Sequence, residues 1–204
     1  MANTQATFGF KHRGYLGGGA PDYQLHPYTI SSSNTTAIGF GDPVGYVNNT
    51  SAFVTLASAS LATVNPIVGI FQGCYFVPAA GGAPVYSPFW PGAAQGSNGT
   101  ALVIDAPNAL FLVAALNTSA VASSIGNTVN FTSGPCQTVG GGFSIATIDT
   151  STGTSGLTGT TSSYMPFRIV GLYDGVGNGS DPTTPYGWMI VGFNYQLNRS
   201  FVAL

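Results

Sequence analysis

The chain has 204 residues and a formal net charge of −2, and only 5% of its residues are charged, against about 25% in ordinary soluble domains. That balance excludes a basic nucleic-acid-binding face, which needs several Lys or Arg to neutralise phosphates. It also excludes steering by the field of the whole protein.

Every acid is Asp, and Lys11 is the only lysine. Exposed helix faces are normally filled with Glu, Lys, Arg and Gln, so the chain has little material for solvated helices. Thr, Val, Ser, Gly and aromatic residues dominate, which favours strands and turns. The expected fold is a single all-β domain, a sandwich, jelly roll or barrel, with at most one short helix.

Residues 1–22 read as an extended N-terminal arm and residues 23–204 as the β-rich body. The arm has Lys11 and Arg13 but no apolar run behind them, so it lacks the pattern of a secretory signal. Phe8 and Phe10 are its anchors, and Gly17 to Gly19 its hinge. Next come the strand-like runs "YTI" and "TAIGF", a turn at "GDPV", and "SAFVTLASASLATV" as one or two strands. "NPIVGIFQGCYFVP" is a nearly continuous apolar run between Pro66 and Pro78, as expected of a core strand. The Pro/Gly-rich "AAGGAPVYSPFWPGAAQGSNG" reads as an ordered loop or hairpin presenting Tyr86, Phe89 and Trp90.

"TALVIDAPNALFLVAAL" gives two strands joined at Asp105 to Asn108. Asp105, Pro107 and Asn108 interrupt it, and it is shorter than the roughly 18 apolar residues of a membrane span. "NTSAVASSIGNTVNF" is the best helix candidate, capped by Thr118 or Ser119 and stopped by Gly126. "GGGFSIATID" opens a strand that runs into a Ser/Thr/Gly loop. "MPFRIVGLYD" and "GWMIVGFNYQL" read as two antiparallel strands around the loop "GVGNGSDPTTPY".

The chemistry available is thin. General acid–base and nucleophilic sites need a His, carboxylate or thiol in a matched setting, and the histidines are His12, in the arm, and His26, before Pro27. No catalytic residue is assigned. "DGVGNGSD" lacks the distal Glu of a calcium loop, and His and Cys never fall at zinc spacing, so no metal or other cofactor is expected. Cys74 and Cys136 read as buried free thiols. The Asn-x-Ser/Thr triplets, as at Asn34 and Asn98, are what this composition gives by chance. The aromatics of "YSPFWPG" leave two binding readings open: a protein-contact loop or a sugar-stacking platform.

The order of "ATFGFKHRG", "YQLHPYTISSSNTTAIGFGDPVGYV", "VGIFQGCYFV", "PVYSPFWPG", "ALVIDAPNALFLV", "SSIGNTVNF", "FRIVGLYD" and "GWMIVGFNYQLN" resembles the capsid decoration (cement) proteins of tailed bacteriophages. The resemblance implies a non-enzymatic virion protein on the outer capsid surface, made in the host cytoplasm. Its partners would be a major capsid protein of HK97-like fold and itself, as a homotrimer, with no nucleic acid and no membrane. It would clamp neighbouring capsomers of the expanded head. Phe8, Gly9, Phe10, Lys11 and Arg13 would make lattice or inter-protomer contacts, with Tyr86, Phe89 and Trp90 as further contact residues. The alternative is a carbohydrate-binding or adhesive β domain that uses its surface aromatics.

Overall fold

The structure, a computed structural model, describes residues 4, 7–22, 24–47, 52–58, 66–116, 122–136, 141–149, 165–181 and 184–198. Those residues form twelve strands and one turn of 3-10 helix. The strands are β1 (Lys11–Tyr15), β2 (His26–Ile30), β3 (Pro43–Tyr46), β4 (Phe53–Leu56), β5 (Ile67–Pro78), β6 (Val85–Ser87), β7 (Gly96–Ile104), β8 (Ala109–Ala114), β9 (Thr128–Thr132), β10 (Thr147–Asp149), β11 (Phe167–Leu172) and β12 (Trp188–Phe193). The all-β expectation holds.

The strands make two sheets. One is open, in the order β1-β8-β12-β11-β9-β10. The other runs β3-β4-β2-β7-β5-β6, and because β3 also pairs with β5 it closes into a five-stranded barrel with β6 attached outside. Pairing is antiparallel throughout except between β2 and β4. Closure leaves the barrel no free backbone edge apart from the short strand β6. Pro84 and Pro88 flank β6 and have no N–H to offer a further strand.

Each sheet has its own core. Ile30, Val44, Val54, Val68, Phe71, Cys74, Phe76, Trp90 and Val103 fill the barrel. The inner face of the open sheet, including Phe111, Val129, Phe167, Ile169, Met189, Val191 and Phe193, packs with Ile67, Ile70 and Ile104 from the outside of the barrel. Strand β5 is thus buried on both sides, which is why its sequence shows a continuous apolar run rather than alternation. Ile70 and Phe71 are consecutive and point into different cores. At Gly69 the barrel wall is tight, because a Cβ there would lie 2.2 Å from the Ile104 carbonyl oxygen.

The N-terminal expectation needs correction. Residues 11–15 are not part of an extended arm: they form β1, an edge strand of the open sheet, with Lys11 opposite Leu112 and Gly14 opposite Leu110. Phe10 is fully buried, stacked on Phe167 with ring centroids 4.5 Å apart. Gly9, at φ +68°, is buried so closely that a Cβ would meet the Ser144 side chain and the Gly41 carbonyl. The glycine run is a turn ending the strand, with Gly18 N–H donating to the Tyr15 carbonyl, rather than a hinge.

Two smaller differences follow. "TAIGF" supplies only isolated bridges, Ile38 to Trp90 and Phe40 to Phe143. The helix candidate reduces, within the described residues, to the 3-10 turn Ala122–Ser124, followed by Gly126 at φ +93° and strand β9; its expected caps, Thr118 and Ser119, lie outside them.

Candidate docking face

An open antiparallel sheet with one face on the core ordinarily turns polar side chains to water on the other. Here Leu110 and Leu112 on β8, Ile190 on β12 and Val170 on β11 lie on the side away from the core, and all remain partly exposed. Register places them together: one row runs Gly14, Leu110, Gly192, Arg168 and Thr128, and the next runs Lys11, Leu112 and Ile190. Gly192 leaves a hollow between Leu110 and Val170, whose methyl carbons would stand 3.3 and 3.5 Å from a Cβ at that position. The resulting groove holds about 300 Å³, with Leu16 and Ile125 on its rim and Phe193 and Arg168 in its lining.

Charge is segregated between the sheets. The barrel strands contain no Asp, Glu, Lys or Arg, whereas the open-sheet strands carry Lys11, Arg13 and Arg168 and a single acid, the buried Asp149. Lys11 lies over the Phe8 ring, 4.5 Å from its centroid, and Phe8 packs edge-on against Trp188. Arg13, at the bulge in β1, pairs with Asp174 at 3.5 Å. Arg168 is exposed, and its guanidinium has no ion-pair or hydrogen-bond partner among the described residues.

The sequence-expected contact residues therefore divide. Phe8, Lys11 and Arg13 lie at the surface of the open sheet, whereas Gly9 and Phe10 are internal and offer no contact surface. Of the aromatic trio, Tyr86 is exposed and Phe89 half-buried over Gly142. Trp90 is a correction: it is a core residue, its indole N–H donating to the Asn34 carbonyl and its ring edge-on to Phe76. Tyr86 pairs instead with Tyr75, directly opposite on β5, with centroids 5.5 Å apart and planes at 62°. Rings so inclined do not form the flat platform that stacking on a sugar ring calls for.

Besides Asp149, two further carboxylates are buried, Asp42 and Asp105. Asp42 accepts the Gly39 N–H at 2.6 Å and the Ser144 hydroxyl, and burial pushes its carboxyl up to about 7. Asp105 lies 2.5 Å from His26 Nδ1 and accepts the Tyr28 hydroxyl at 2.7 Å and the Asn198 amide at 3.1 Å. Burial, then the bond to Asp105, drives the Tyr28 phenol far above its ordinary value. This cluster joins β2, the β7–β8 turn and the chain after β12. Sequence reading missed it, because its members are far apart in the chain and none carries a local motif.

No family model, no curated protein and no solved structure matches the chain.

Proposed function

We propose that this is a structural protein of a phage capsid exterior, which docks on the major capsid protein and cements neighbouring capsomers of the expanded head. The observation that carries the reading is the outward face of the open sheet, where Leu110, Leu112, Val170 and Ile190 stand in contact with water beside Lys11 and Arg168. Apolar side chains grouped on a sheet face suit a protein contact better than open water. Burying it supplies about 25 cal/mol per Å², more than exposed ion pairs worth about 0–1 kcal/mol each. Near-neutral copies also pack side by side without self-repulsion. Trimerisation, as the resemblance implies, multiplies a modest single contact through effective concentration.

The test is co-sedimentation of the purified chain with expanded, undecorated heads of the parent phage at low and high salt. Stoichiometric pelleting largely retained at high salt is the expected result. Failure to pellet at either salt overturns the reading and returns attention to glycan binding.

A further inference from the structure

We infer that the groove floored by Gly192 receives an extended, aliphatic segment of the docking partner and holds one carboxylate of that segment on Arg168; this rests on the docking reading above. The groove walls are Leu110 and Val170, the rim Leu16 and Ile125, and the volume about 300 Å³ accommodates a few aliphatic side chains. A guanidinium is a planar fork suited to two-point pairing with a carboxylate. Arg168 presents one without a partner among the described residues, on a row otherwise made of glycine, leucine and threonine.

The occupant is a protein segment rather than a free fatty carboxylate, because the positive charge extends beyond the groove. Lys11 lies on the neighbouring row, over the Phe8 ring, a position a macromolecule reaches and a small anion in the groove does not. The barrel strands, without a charged residue, offer no comparable match for an acidic partner.

Two measurements test this. The first is an NMR titration with the peptides acetyl-Leu-Asp-Val-Leu-amide and acetyl-Leu-Asn-Val-Leu-amide, with octanoate as a separate arm. The Asp peptide is expected to shift the methyl signals of Leu16, Leu110, Ile125 and Val170 and to bind at least about fivefold more tightly than the Asn peptide. Arg168→Gln is expected to abolish that difference. Equal binding of the two peptides, no shifts at the groove, or octanoate binding more tightly than the Asp peptide overturns the inference.

The second compares pelleting of Arg168→Gln, Ile125→Asp and Tyr75→Ser with undecorated heads. Ile125 and Tyr75 are about half exposed, so none of these changes touches a core. A tenfold or greater loss for the first two, with Tyr75→Ser unchanged, is expected. Wild-type affinity in Arg168→Gln and Ile125→Asp sinks the groove and leaves capsid docking standing. If the wild-type chain itself does not pellet, capsid docking falls, and the peptide titration alone decides the groove.

Discussion

Phe10 and Phe167 stack with their ring planes 22° from parallel, which fastens the N-terminal segment to a strand far along the chain. Phe10→Ala is expected to lower stability by about 3–5 kcal/mol through lost burial and a cavity between the sheets. Urea unfolding of the variant checks this. Removal of residues 1–16 takes away Phe10 and the whole of β1, so it lowers the unfolding midpoint as well as any docking affinity. An unchanged midpoint in the truncated chain would show that β1 is an accessory to the fold.

Asp42 sets a pH dependence. Its carboxyl is raised from 3.8 to about 7 in the folded chain, chiefly by burial and against the hydrogen bonds from Ser144 and Gly39. The folded state therefore binds this proton more tightly than the unfolded state. The stability it contributes is complete below about 4 and is lost as pH rises to 7, a span on the order of 4 kcal/mol at 1.36 kcal/mol per unit. His12, lowered by burial, works in the opposite sense over part of this range. The informative quantity is thus the difference between wild type and Asp42→Asn, which should favour the variant increasingly from pH 5 to pH 8. A difference constant across that range contradicts the assignment.

Cys74 and Cys136 are free and buried, and burial pushes their thiols up to about 12 and about 11. Thiolate is the reactive form, so both are expected to resist a disulfide-exchange reagent at pH 8 until the chain unfolds, and then to titrate together. Rapid labelling of either in the native protein would contradict its placement.

The Arg13–Asp174 pair is exposed at both ends, with side chains 44% and 83% accessible. Arg13→Gln is expected to change stability by less than about 1 kcal/mol. Under the docking proposal it slows association with heads at low salt and has little effect at high salt. A stability loss of several kcal/mol would give this pair a structural weight its exposure does not support.

The β character was legible because Val, Ile, Thr and aromatic residues dominate and exposed helix formers are scarce. The core strand β5 announced itself as an apolar run between prolines, and β11 and β12 as an antiparallel pair. Strand β1 was read as an arm because its two cations and flanking glycines masked a period of two. Phe10 and His12 turn inward, while Lys11 and Arg13 turn out, and that alternation was the available signal. Trp90 was misplaced for a related reason: a Pro/Gly-rich loop looks superficial, yet its bridge to Ile38 tucks the indole into the barrel. Barrel closure could not be read locally, since it depends on β3 meeting β5 and on the parallel pairing of β2 with β4. The apolar outward side of the open sheet was equally hidden. Alternation in β8 and β12 identifies which residues are inward only when the outward ones are polar, and here both sets are apolar.

Strand β5 acts as a party wall. Since Ile70 and Phe71 serve different cores from adjacent positions, neither core can melt without stripping one side of the strand that the other is built on. The described body should therefore unfold in a single calorimetric step despite its two sheets, with the calorimetric and van't Hoff enthalpies in agreement. A substitution within β5, such as Gly69→Ala, should shift that whole transition rather than split it. Mechanically, β5 pairs only within the barrel, so a load on the open sheet passes to it through the side chains packed on its outer face, Ile67 and Ile70 among them, and not through a shared backbone ladder.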